Sequence, residues 1–150
     1  GLLAGETAQL TKSREEPALV MSPPKTATEQ DDGLLTASEV VALKLDADWV
    51  ILSACNTAAG GAEGAEALSG LARAFFYAGA RSLLVSHWYV DSEATVTLIR
   101  GAFAEMKASS SIGRAEAMRR SMLEMIDEGA HPSLWAPFVV VGEGAPQPQR

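Results

Sequence analysis

Three short apolar runs punctuate the chain, separated by longer stretches in which apolar residues recur on one helical face. Trp49-Val50-Ile51-Leu52 is rich in strand formers and has no polar alternation, which predicts a strand buried on both faces of a sheet. Ser82 to Val85 predicts a second buried strand, and Phe138 to Val141 a third apolar strand. Between the first two runs, Leu68, Leu71, Ala72, Phe75 and Phe76 fall at i, i+3, i+4, i+7 and i+8, a helical stripe that Gly79 is suited to stop. Asp91 and Ser92 can cap a further helix, on which Leu98, Ile99, Ala102, Phe103 and Met106 share a face. The serines from Ser109 to Ser111 should end it. Ala115, Met118, Met122 and Met125 form the last stripe, which should stop near Gly129.

The first third is less regular. Residues 11–33 are polar and carry Pro17, Pro23 and Pro24, so they read as loop or short hairpin, with a short strand at Ala18 to Met21. Thr36 followed three residues on by Glu39 has the pattern of a capping box, and predicts a helix from about Ala37 to Leu43. From Gly144 to Arg150 the chain should fray. Strands alternating with helices at these intervals imply βαβ units, hence an α/β fold with a mainly parallel sheet and helices on both faces.

Composition narrows the function. At 150 residues, 47% apolar and 21% charged, the chain can bury a core, and one globular unit is the expectation. A net charge of -7 leaves no broad basic surface for phosphate backbones, so nucleic acid is not an expected partner. The single cysteine excludes an internal disulfide framework and a Cys-rich zinc site, and a lone thiol suits a reducing, cytoplasmic setting. No apolar run approaches the roughly 20 residues that span a bilayer, because Arg73 and Arg81 interrupt the longest one. A membrane partner is therefore not expected. Opening on Gly1, with no Met and no basic leader, is expected of a piece of a longer protein.

That cysteine, Cys55, lies just past the carboxyl end of the first predicted strand, in Ser53-Ala54-Cys55-Asn56-Thr57. Ligands of open α/β sheets collect at such ends. Ala54, Ala58, Ala59, Gly60 and Gly61 are small enough to admit a substrate carbonyl and to bring backbone N–H groups near an oxyanion. The competing reading is a small buried hydrophobe, the commonest fate of a free cysteine. Gly60, Gly61 and Gly64 lack both the spacing and the Lys of a phosphate-binding loop, which argues against a nucleotide domain.

Several stretches in order resemble the CHAT domain, a caspase-like module of the separase and caspase group that is often attached to tetratricopeptide repeats. They are Asp32-Gly33-Leu34-Leu35-Thr36-Ala37-Ser38-Glu39, the run Trp49 to Thr57, the segment Glu66 to Ser82, His87 to Thr95, and Trp135 to Gly142. The resemblance implies the C-terminal portion of one CHAT domain over residues 1–150, with a caspase-like sheet. It implies a cysteine endopeptidase acting on protein or peptide substrates, with Cys55 as nucleophile in a Cys–His dyad and no cofactor. A fused or associated repeat or sensor domain is the implied partner. Gly1 would be the Gly of the family's His-Gly pair, offering a backbone N–H to the oxyanion, and the histidine itself would stand one residue earlier. Without that base the isolated chain should be inactive or nearly so.

Neither histidine present is an evident substitute. His87 takes a place where the family usually has an apolar residue, so pocket lining is favoured over catalysis. His131, before Pro132, reads as structural. Asp91 and Glu93 could select a basic substrate residue, as acidic groups do in separase-like relatives, but helix capping and dipole compensation account for both without a substrate. Trp88 and Trp135 read as packing residues, and Glu63 and Glu66 as solvated charges. The alternative function is a non-catalytic interaction module that keeps the fold for docking. Were the strands ahead of Gly1 missing, an exposed strand edge could lead to self-association.

Overall fold

The capping box at Thr36 forms. The Thr36 hydroxyl accepts from the Glu39 N–H at 3.3 Å, and the Glu39 carboxylate accepts from the Thr36 N–H at 2.8 Å. Both bonds satisfy donors that a helix start would leave free, so α1 (Ala37–Ala42) begins where the pattern places it. The computed structural model describes residues 16–26, 28, 31–53 and 64–146, with backbone only for 64–69. These residues fall into two compact units, one drawn from 1–46 and 60–79 and the other from 47–59 and 80–150.

In the first unit, β1 (Ala18–Val20) pairs antiparallel with β2 (Leu34–Thr36), placing Leu19 opposite Leu35. α1 follows β2 directly and packs against α2 (Gly64–Tyr77). Leu71, Ala74 and Phe75 are buried on α2, as is Ala78 just past its end, and Val40 is the buried residue of α1. The stop expected at Gly79 is real. Gly79 has φ +106°, a conformation open to glycine, and a Cβ there would lie 3.1 Å from the Asp46 nitrogen.

The second unit holds a three-stranded sheet in the order β3 (Val50–Ile51), β4 (Ser82–Ser86), β5 (Phe138–Gly142). β3 and β4 are parallel, Val50 opposite Leu83, and the Leu52 N–H extends the ladder by donating to the Leu84 carbonyl at 2.8 Å. Every residue of β4 is buried, as its apolar run predicts. β3 is only half-buried at Val50 and Ile51.

β5 departs from the expected parallel arrangement. It runs antiparallel to β4, with Leu84 opposite Val140. The cause is the number of helices in the connection. Two of them, α3 (Ser92–Ala108) and α4 (Arg114–Asp127), separate β4 from β5. One helix carries the chain back to the start of a parallel strand, and a second carries it to the other end. The fold is mixed α/β, and among the described strands one pairing is parallel and two are antiparallel.

The core of this unit packs Leu84 and Phe138 from the sheet against Val90, Ala94, Leu98, Ala102, Ala117, Met118 and Met125. Two stripes shift from the predicted positions. Phe103 lies about 140° around α3 from Leu98, at the margin of the face, and is 49% exposed while its ring meets Trp49 at 5.4 Å. On α4 the buried face is Arg114, Ala117, Met118, Ser121 and Met125, and Ala115 points outward. Its polar members hid that face from an apolar count. In the stretch from Gly144, the Gly144 carbonyl accepts from the Ala115 N–H at 3.2 Å. Among the described residues no helix is long and apolar enough to cross a membrane.

Candidate functional site

Because β3 and β4 are parallel, their carboxyl ends open on the same side of the sheet. The β3 backbone is described through Leu52, which is buried, and Ser53, which is exposed. Cys55 itself, Ala54, Ala58–Gly61 and Gly1 lie outside the described residues, as does Glu63 and the side chain of Glu66. What the structure supplies is the strand that precedes Cys55 in the chain and the end of its parallel neighbour β4.

There Ser86 is fully buried, and the chain turns outward through His87, Trp88 and Tyr89 before Val90 re-enters the core. The turn is fixed at its base, where the His87 N–H donates to the Pro137 carbonyl at 2.8 Å and prolongs the β4–β5 ladder. Its side chains are free of the core. His87 is exposed, Trp88 is 43% exposed and Tyr89 75%. Trp88 is thus less of a packing residue than its type suggests. Trp135 does pack: it lies against the core cluster, and its Nε1–H donates to the Ala130 carbonyl at 3.4 Å.

Asp91 caps α3. Its Oδ1 accepts from the Ala94 N–H at 2.8 Å, and its carbonyl accepts from the Thr95 hydroxyl and N–H. Glu93 sits exposed in the first turn, where its charge favours the positive end of the helix. The capping and dipole roles are thus both occupied. His131 caps the 3-10 turn Pro132–Leu134 by accepting at Nδ1 from the Ser133 N–H, which is a structural task.

Arg114 is a residue that the sequence pattern did not single out. It is only 4% exposed, at the first position of α4, where a cation opposes the helix dipole. Its guanidinium lies 3.9 Å from the Asp48 carboxylate and donates to the Glu143 carbonyl at 3.4 Å, so it joins the start of α4 to the chain before β3 and after β5. An Arg at a helix start beside Gly113 is the signal that could have found it. Among the described residues no group of three or more His, Cys, Asp and Glu side chains is placed to hold a metal ion.

Comparison with known proteins bears on the same segments. Tetratricopeptide repeat protein 28 of Mus musculus is 35% identical over 113 residues, which is 73% of this chain and 4% of that protein. The Homo sapiens protein of the same name is 34% identical over 113 residues, with the same shares. The matched stretch is a small part of these long relatives. Residues 2–143 match the CHAT domain family, a span that contains every strand and helix described above. The chain therefore belongs to the CHAT domain family, within the caspase-like superfamily.

Proposed function

We propose that this chain is the nucleophile-bearing part of a caspase-like cysteine endopeptidase. The observation that carries the reading is the topology around Cys55. It follows Leu52 by three residues, off the carboxyl end of a strand whose parallel neighbour ends on the same side with an exposed turn. In the proposed reaction the Cys55 thiolate attacks a peptide carbonyl and forms a tetrahedral oxyanion held by backbone N–H groups, Gly1 among them. Collapse forms a thioester and breaks the C–N bond, and an imidazolium gives its proton to the departing amine. Water then hydrolyses the thioester, returning the thiol and releasing a carboxylic acid.

The imidazole belongs to a histidine preceding Gly1 in the longer protein, with His87 as a lesser substitute. Asp91 and Glu93 favour a basic substrate residue by charge. Tetratricopeptide repeats, named in both relatives, supply the attached sensor or docking domain. A cytoplasmic, reducing setting keeps the thiol free, and the complete sheet is the mainly parallel one of caspase-like proteins.

The test is cleavage by the full-length protein. Cys55→Ala should abolish it, by at least about 1,000-fold given the loss of covalent catalysis, and a thiol-directed peptide electrophile should label Cys55. Undiminished cleavage by the variant would remove the nucleophile. The second reading, a docking module without catalysis, gains if the residue before Gly1 cannot act as a base, and is then tested by partner capture with Cys55→Ala binding as well as the parent.

A further inference from the structure

The buried Arg114 has more hydrogen-bond donors than partners. A guanidinium carries five N–H donors and no acceptor. Nη1 donates to the Glu143 carbonyl at 3.4 Å and Nη2 lies 3.9 Å from the Asp48 carboxylate, both long contacts. Nε–H is buried with no hydrogen-bond partner among the described residues. Asp48 offsets the charge only in part, because its carboxylate is 56% exposed and also faces Arg81 at 3.7 Å. Two cations thus share one anion. Burying a charge with so little compensation is costly, and the start of α4 adds the positive end of a helix to it.

Arg114 also lines a cavity of about 150 Å³, walled by Met106, Ser110, Ile112, Gly113 and Ala145 as well. The cavity lies between the end of α3, the turn into α4 and the chain beyond β5. At roughly 30 Å³ per water it has room for about five waters, or for the five heavy atoms of one phosphate. Among the described residues that form its wall none is acidic. Gly113, the N-cap of α4, brings no side-chain acceptor to that end. Nor could a Ser or Asp replace it freely, since a Cβ there would collide with the backbone of Gly144, Ala145 and Pro146. The Gly144 carbonyl accepts from the Ala115 N–H at 3.2 Å, but it carries no net charge.

We propose that this cavity binds a small tetrahedral oxyanion of the phosphate class. One oxygen takes the Arg114 Nε–H, the charge sits at the positive end of α4, and the Nη groups keep Asp48 and the Glu143 carbonyl. The buried cation then gains the close counter-charge that Asp48 does not supply. Asp48 precedes β3 and Glu143 follows β5, which runs antiparallel to β4, so the site lies at the amino-terminal end of β3 and β4. Cys55 follows the opposite end of β3. The inference therefore does not depend on peptidase activity.

Nuclear magnetic resonance of the isotope-labelled chain tests it, with inorganic phosphate as the probe, sodium chloride at equal ionic strength as the control and acetate as a planar comparator. The Arg114 Nε–H resonance and the Gly113 and Arg114 amides should shift together and saturate with phosphate, and stay in place with chloride. Arg114→Lys keeps the charge but lacks Nε–H. Followed through the Gly113 amide, its affinity for phosphate should fall about tenfold or more, as for a lost hydrogen bond to a charged group. Phosphate should also raise the urea midpoint of the wild-type chain more than that of the variant. An Arg114 Nε–H that does not respond in the folded wild-type chain would mean that water fills the cavity, and would overturn the proposal. Shifts confined to the exposed Arg119 and Arg120 would do the same, as would a variant, folded by circular dichroism, that binds phosphate as tightly as wild type. Acetate binding as tightly as phosphate would overturn the choice of a tetrahedral ion.

Discussion

Glu116 accepts hydrogen bonds from the guanidinium groups of Arg119, at 2.7 and 2.8 Å, and of Arg120, at 2.8 Å, one turn along its own helix. Those bonds, Arg119 first, hold its carboxyl at about 2, below the ordinary 4.5. A carboxyl depressed in the folded state stabilises the fold above its unfolded value, and that contribution is lost as pH falls from about 4.5 through about 2. Glu116→Gln should therefore be modestly less stable than wild type above about pH 4.5, by less than the shift implies because the group is solvent-screened, and the difference should shrink as pH falls through about 2, which flattens the acid side of its stability curve. Thermal melts of the two proteins from pH 2 to pH 6 on the same chain would show it; parallel acid branches would refute it. Gly79 is the second residue-scale case. With φ +106° and the Asp46 nitrogen 3.1 Å from the place of a Cβ, Gly79→Ala should cost about 1–3 kcal/mol, read as a lower urea midpoint at unchanged slope. Features of this size were open to sequence reading when they were local. Thr36 with Glu39, and Asp91 before its helix, announce themselves within four residues. Arg114 does not, because what buries it comes from Asp48 and Glu143, far away in the chain.

At the level of elements, α3 and α4 pack against each other in the second unit, and a glycine permits it. A Cβ on Gly101 would lie 2.2 Å from the Ser121 Oγ and 3.1 Å from its Cβ, while that hydroxyl donates to the Leu98 carbonyl at 2.9 Å. In an exposed helix Gly→Ala gains about 0.5–1 kcal/mol. Here the clash should outweigh that gain, so Gly101→Ala should destabilise by about 1–3 kcal/mol. Ser121→Ala should recover only part of the loss, since the two Cβ atoms still collide. A double-mutant cycle by urea unfolding measures the coupling, and simple additivity would show that the helices adjust freely. This contact explains why the element pattern was only partly readable. The period of α4 was visible in its methionines, but the face it buries is set by Arg114 and Ser121, which an apolar count passes over. Strand positions came through because a short run of three or four apolar residues marks a strand whatever its direction, although only β4 proved buried throughout. The direction of β5 did not, since it depends on counting two helices in the connection as two separate reversals. Likewise Cys55 could be singled out as a candidate from the strand ahead of it and from the family resemblance, though it lies outside the described residues, whereas the exposure of Trp88 and Tyr89 depends on where Val90 finds the core.

For the whole molecule, burial is unevenly spread, and local stability should follow it. The second unit concentrates its fully buried side chains in β4 and α3, with Leu83, Leu84, Leu98 and Ala102 at 0% exposure. Beside its helix pair the first unit has a ladder of two three-residue strands, in which Val20, the last residue of β1, is 85% exposed and is followed by Met21 at 52%. A three-residue pair without a broad apolar face is marginal by itself, so β1 and β2 should open without the rest of the molecule unfolding. Native-state hydrogen exchange resolves this residue by residue. The amides of Leu83–Val85 and of the middle of α3 should exchange slowest, through global unfolding, and the Met21 N–H, bonded to the Gly33 carbonyl at 2.8 Å, should exchange orders of magnitude faster despite that bond. Leu98→Ala, which empties a fully buried site at a cost of about 2–5 kcal/mol, should accelerate the β4 and α3 amides together and leave Met21 unchanged. Equal acceleration at Met21 would mean that the β1–β2 ladder opens only with the core, and that the two units share one cooperative transition.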